Sequence, residues 1–123
     1  MRTFNWAILG PGHIARKFAE DLKLVPGARL HAVASRSRAR AEEFAAEFGA
    51  AHAVGSYEEL LAVPGIDAVY VATPHSEHYA HARLCLAGGL PVLCEKAFTQ
   101  NAQQAQALID LARAKGVFLM EAF

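Results

Sequence analysis

Six residues near the start, Gly10-Pro11-Gly12-His13-Ile14-Ala15, constrain this chain more than any other segment. They follow the apolar run Phe4-Asn5-Trp6-Ala7-Ile8-Leu9 and open a helical pattern. A G-x-G-x-x-G/A string between a strand and a helix builds a bend that cradles a diphosphate. Gly10 permits the tight turn, and Gly12, with no Cβ, lets the backbone approach a pyrophosphate closely. Ala15 stands in for the third glycine and is small enough for helix and strand to pack together. Unpaired N–H groups at the helix start, on the positive end of its dipole, then face the phosphates. Dinucleotide contacts are therefore expected from Gly10, Gly12, His13 and Ile14.

Beyond the bend, strand and helix patterns alternate to the end. Short apolar segments occupy residues 4–9, 28–34, 51–54, 67–72, 91–94 and 117–120. Three helical stripes lie among them: Ile14, Phe18, Leu22 and Val25; Ala41, Phe44, Ala45 and Phe48; and Ala105, Leu108, Ile109 and Ala112. Gly49 and Gly116 end the second and third, and Ser56 with Glu59 and Asn101 with Gln104 resemble capping boxes. Continuous apolar strands are buried on both faces, which points to a parallel sheet covered by helices. Right-handed crossovers give an α/β, doubly wound sheet of the Rossmann type, of about six strands in the order 3-2-1-4-5-6. Ligands of such sheets sit beyond the C-terminal strand ends, here the loops Gly10–Ile14, Ser35–Arg38, Thr73–His78 and Glu95–Thr99.

A length of 123 residues suits one domain, 1–123, and is small for a complete two-substrate enzyme. With 12 basic and 12 acidic residues, nothing global favours nucleic acid or an anionic membrane. No leader-like or membrane-spanning run is visible, so a cytoplasmic location is expected. Cys85 and Cys94, in a helical pattern and an apolar strand, fit buried reduced thiols better than a disulfide or a metal pair.

The loop after the second strand selects between cofactors. An Asp or Glu there would hold the ribose 2′-OH of NAD. This chain has Ser35-Arg36-Ser37-Arg38, then Arg40, and no carboxylate before Glu42. A guanidinium grips a 2′-phosphate with charge-assisted hydrogen bonds, and a hydroxyl adds another. Ser35 and Arg36 are therefore assigned to the cofactor, and NADP is favoured over NAD. The arginines also fit a solvated first helical turn, although their charge then opposes the helix dipole.

After the fourth strand comes Thr73-Pro74-His75-Ser76-Glu77-His78. Its backbone is expected to run along the dinucleotide, with Thr73, Pro74 and His75 in contact. A metal at His75, His78 and His81 is disfavoured: residues six apart on a helix point about 120° away from each other. His78 and His81 are read as structural or solvent-facing. After the fifth strand, Glu95-Lys96 places two charges at a buried strand end on the ligand edge. Lys96 would reach the nicotinamide ribose and the reacting oxygen, polarising it or passing a proton. Glu95 would bind ribose hydroxyls, a surface salt bridge being its plainer alternative.

These strings resemble the N-terminal half of the Gfo/Idh/MocA oxidoreductases, and within them the dimeric dihydrodiol dehydrogenase-like branch. The likeness rests on Ala7–Ala15, Val33–Ser37, Val71–His78, Cys94–Ala97 and Gly116–Ala122, in order along the whole chain. It implies that Lys96 is catalytic, occupying the lysine of a Glu-Lys-Pro pattern in which Ala97 replaces proline. It also implies NADP, with Arg36 on the 2′-phosphate. Family members continue into a second α/β domain that supplies most of the substrate pocket and often the dimer surface. The expectation is thus a cofactor domain whose substrate domain is absent, from an oxidoreductase moving a hydride between nicotinamide and a sugar, polyol or diol. Alone it would be inactive. The alternative is an autonomous or engineered module that binds nucleotide, or self-associates, without catalysis.

Overall fold

The alternating apolar runs are all strands of one sheet, in a computed structural model that describes residues 3–96, 99 and 101–121. They are β1 (Phe4–Leu9), β2 (Ala28–Ala34), β3 (His52–Val54), β4 (Ala68–Val71), β5 (Val92–Cys94) and β6 (Leu119–Glu121). Every pairing is parallel, in the order β3-β2-β1-β4-β5-β6. The helices are α1 (His13–Leu22), α2 (Arg38–Phe48), the single turn α3 (Tyr57–Leu60), α4 (His78–Ala87) and α5 (Ala102–Lys115), with a 3₁₀ turn at His75–Glu77 before α4. This is the doubly wound α/β sheet that the patterning predicts.

Side chains alternate between the sheet faces, so each strand feeds two cores. Ile8, Val33 and Tyr70 meet Ala15, Ala19 and Leu22 of α1 and Phe44 of α2 on one face. Ala7, Leu9, Val69, Val71, Val92 and Cys94 meet Leu60, Cys85, Leu86 and Leu108 on the other. Both cysteines are buried, and burial pushes their thiols up to about 12.

Helix ends follow local chemistry. Ser56 accepts from Glu59 N (3.2 Å), and Asn101 accepts from Gln104 N (2.9 Å). Gly49 and Gly116 close α2 and α5 in the left-handed region. Ser37, not recognised as a cap in the sequence, accepts from Arg40 N at the start of α2 (3.3 Å). The sixth strand starts later than expected because Val117 N still bonds Ala112 O (3.0 Å), completing the α5 cap.

Two helix faces differ from the expected stripes. In α1 the seam is Ala15, Ala19 and Leu22, whereas Ile14 is 43% and Val25 52% exposed, Val25 lying beyond the helix. Close packing on the strand selects the small residues, and this rotation leaves Ile14 over the ligand edge. In α5 Leu108 and Ala112 are buried while Ile109 is 39% exposed. Over β5 and β6 the α1–α2 side of the sheet holds an apolar groove of about 550 Å³ that includes Trp6, Leu93, Phe118 and Met120. Among the described residues no helix is long and apolar enough to cross a membrane.

The seam of α5 is testable. Leu108→Ala should lose about 2–5 kcal/mol of stability in urea titrations, and Ile109→Ala about 1 kcal/mol or less. Equal losses would mean that α5 presents a different face.

Candidate functional site

Sheet register brings the predicted loops to one level. Leu9 aligns with Ala34 on one side and with Val71 on the other, and Val71 aligns with Cys94. The next residues, Gly10, Ser35, Ala72 and Glu95, therefore leave the sheet in one row. Each is still tied to it: Gly10 N to Ala34 O (3.0 Å), Ser35 N to Val54 O (3.2 Å), Ala72 N to Leu9 O (2.9 Å) and Glu95 N to Val71 O (3.0 Å). The chain turns from β1 toward one face and from β4 toward the other, which opens a crevice at the switch point. A cavity of about 730 Å³ lies there.

Gly10 is required twice over. Its φ is +97°, and a Cβ would lie 2.7 Å from Thr73 Cγ2 and 3.0 Å from Thr73 N. Gly12 differs: its backbone is extended, and a Cβ there would meet nothing within 4 Å. Gly12 caps α1 with no side-chain hydrogen bond, and the first turn of α1 contains no acidic residue. A helix N-terminus without an acceptor, facing open space, suits an anion.

Pro11, His13 and Ile14 continue the lining beside Gly10 and Gly12. On the β2 side, Ser35, Arg36, Ser37 and Arg40 form the wall. Ser35 is buried and its Oγ accepts from Ser37 N (3.1 Å). Arg38 is diverted: it reaches Glu59 of α3 at 3.4 Å, a salt bridge between exposed groups. The three arginines thus do not act as one group, and only Arg36 and Arg40 reach the cavity. No carboxylate lines it among the described residues. Tyr57, at the start of α3, also lines the cavity and was missed in the sequence. An aromatic beside the Ser56 cap, directly after the third strand, was the available signal.

The opposite wall is Ala72, Thr73 and Pro74. Thr73 Oγ1 and His81 Nδ1 share a hydrogen bond of 2.7 Å, and Thr73 O accepts from the buried His78 Nε2 at 2.7 Å. Burial lowers the His81 imidazole from its ordinary value, favouring the neutral form. His78 and His81 are therefore structural, bracing the wall. Among the described residues no three His, Cys, Asp or Glu are grouped to hold a metal.

His75, Glu95 and Lys96 lie outside this lining. His75 is exposed, its Nε2 3.4 Å from Thr99 O. Lys96 is exposed at the strand end. Glu95 does not pair with Lys96; its carboxylate accepts from the Tyr70 hydroxyl. The Ala97 departure from the Glu-Lys-Pro pattern falls outside the described residues, as does Phe98.

A glycine bend at a helix start, at the switch point of a doubly wound sheet, defines a dinucleotide-binding domain. Residues 4–123 match the Gfo/Idh/MocA family, described as an oxidoreductase family with an NAD-binding Rossmann fold, and the chain belongs to it. It is 47% identical over 132 residues to the D-xylose 1-dehydrogenase (NADP(+)) of Hypocrea jecorina, covering 98% of this chain and 34% of that protein. It is 44% identical over 122 residues to the trans-1,2-dihydrobenzene-1,2-diol dehydrogenase of Mus musculus, covering 98% and 37%. A 3-ketoreductase from Actinomadura kijaniata, solved with TDP-benzene and NADP, superposes with a TM-score of 0.94 at 35% identity, covering 99% of this chain and 39% of the other. Other solved neighbours were crystallised with NAD. The chain spans about a third of the length of the curated relatives it matches.

The two glycines should separate experimentally. Gly10→Ala should destabilise the chain by about 1–3 kcal/mol through strain and collision with Thr73, read in thermal unfolding. Gly12→Ala should stay within about 0.5 kcal/mol. A comparable loss at Gly12 would show that the space above it is not open.

Proposed function

We propose that residues 1–123 form the cofactor domain of an NADP-dependent dehydrogenase or reductase acting on CH–OH groups of a sugar, polyol or diol. The observation that carries this reading is the basic wall: Arg36 and Arg40, with the Ser35 and Ser37 hydroxyls, line the cavity at the end of β2 without a carboxylate. A 2′-phosphate would be attracted there, whereas the acidic residue that holds an NAD ribose is missing. The substrate class follows from the xylose and diol dehydrogenase relatives.

The cavity fits a dinucleotide on its own terms. The open space over Gly12 and the uncapped start of α1 suit the pyrophosphate, held by backbone N–H groups of the bend and of His13 and Ile14. Thr73 and Pro74 form the facing wall, with His75 just beyond it. A bound nicotinamide would supply the hydride donor or acceptor. Lys96, one residue past the row of strand ends, would give its proton to the reacting oxygen or polarise it, and Glu95 would hold ribose hydroxyls. A second domain in the longer parent would complete the substrate pocket and exclude water.

A second reading, a nucleotide-binding or self-associating module without catalysis, is favoured by the apolar groove that includes Phe118 and Met120. Calorimetric titration separates the two. The chain should bind NADPH more tightly than NADH, and Arg36→Ala should weaken NADPH by about tenfold or more while changing NADH little. Equal losses would remove Arg36 from 2′-phosphate recognition, and binding of neither nucleotide would leave only the self-associating module. In a full-length parent, Lys96→Ala should lower turnover by about 100-fold or more with cofactor affinity near wild type. Unchanged turnover would exclude Lys96 from the chemistry.

A further inference from the structure

The side of the site away from the arginines contains an arrangement that the proposed function leaves unused. Tyr70, on β4, is 3% exposed and its ring stacks on Phe18 of α1, with centroids 4.0 Å apart and planes inclined by 14°. Trp6 packs in a T-shaped contact with Phe18, ring centroids 5.2 Å apart. The phenol is thus held by aromatic packing and has little freedom to swing. Its hydroxyl donates to Oε2 of Glu95, the first residue after β5.

Period-2 alternation explains the meeting. Leu93 packs with the α1–α2 core and Cys94 with the opposite one, which returns Glu95 to the α1 side. Tyr70 belongs to that same side. Val71 aligns with Cys94, so Glu95 stands level with Ala72 at the cavity edge. It is two strands from Gly10, about 10 Å at ordinary strand spacing. Among the described residues Glu95 makes no other side-chain hydrogen bond, so Oε1 remains available to a ligand. Backbone pins Glu95 from below through its N–H to Val71 O (3.0 Å), and Tyr70 pins the carboxylate from the side.

We propose that Tyr70 is a positioning residue for the nicotinamide-side half of the cofactor: it fixes Oε2 of Glu95 so that Oε1 presents a preoriented acceptor to a vicinal diol of the ribose. This rests on the nucleotide reading above and adds to it a residue with no cavity contact of its own. A free carboxylate on a surface strand end samples several rotamers, and ordering it costs affinity when a diol binds. Tyr70 does that ordering before the ligand arrives. Burial, reinforced by the bond to Glu95, holds the phenol above its ordinary range, so it keeps its proton and acts as donor.

The test is Tyr70→Phe, which retains the stacked ring and deletes only the donor. Affinities are measured calorimetrically for NADPH and for adenosine 2′,5′-bisphosphate, which carries the adenosine half alone. The expected result is about a tenfold loss for NADPH with the bisphosphate unchanged. Adding Tyr70→Phe to Glu95→Ala should then cost nothing more, since the hydroxyl acts through the carboxylate. Unchanged NADPH affinity, an equal loss for both ligands, or full additivity with Glu95→Ala would each overturn the proposal. Should Tyr70→Phe fail to fold, Glu95→Ala alone must produce the selective NADPH loss, and its absence is equally fatal. Failure of the wild-type chain to bind NADPH at all would instead overturn the nucleotide reading, and the proposal with it.

Discussion

The approach of the Gly10 turn to Thr73 is the contact on which the rest of the site depends. At the switch point the chain leaves β1 and β4 toward opposite faces, and these two departures would diverge if any side chain stood between them. Gly10 removes that obstacle, with φ at +97° and the Thr73 backbone and methyl where a Cβ would sit. The start of α1 and the Thr73–Pro74 wall are thereby brought to opposite sides of one crevice. Thr73 is braced in turn by His78 and His81, so these histidines shape the wall without lining it.

Charge is then distributed unevenly along the crevice. At the β2 end Arg36 and Arg40 face the cavity, while Arg38 is neutralised by Glu59 outside it. In the middle, the start of α1 offers backbone donors and no acid. At the β5 end Glu95 stands ordered by Tyr70. A basic end, a donor-lined centre and a carboxylate end are the order that the proposed NADP reading requires, for a phosphorylated adenosine, a diphosphate and a ribose diol. The exposed pairs such as Arg38–Glu59 add little stability; their effect is on which guanidinium is left for a ligand.

How much was legible in the sequence differed by element. The first two strands ran to their observed limits, Phe4–Leu9 and Ala28–Ala34, and the strand order was that of the fold the glycine bend implies. Of the residues expected at the cofactor, Gly10, Gly12, His13, Ile14, Ser35, Arg36, Thr73 and Pro74 line the cavity, each within a few residues of a strand end. Helix faces were less legible: Leu108 and Ala112 of the expected α5 stripe are buried, but Ile14, Val25 and Ile109 share the expected period and are exposed, and in α1 packing buries the small Ala15 instead. Close helix–sheet contact favours a short side chain, and periodicity counts hydrophobes without weighing their size.

By itself the sequence determined what is local: the bend at Gly10 to Ala15, the caps at Ser56, Asn101 and Gly116, the apolar strands, and the lack of an acid after β2. These depend on backbone conformation and composition over a few residues, which neighbours in the chain largely dictate. Only the tertiary structure decided which side chains meet across strands. Tyr70 and Glu95 are 25 residues apart and join through β4–β5 register, Arg38 finds Glu59 21 residues away, and Tyr57 reaches the cavity from the start of α3. Register and helix rotation are properties of the packed whole, because a shift of one residue sends a side chain to the other face of the sheet.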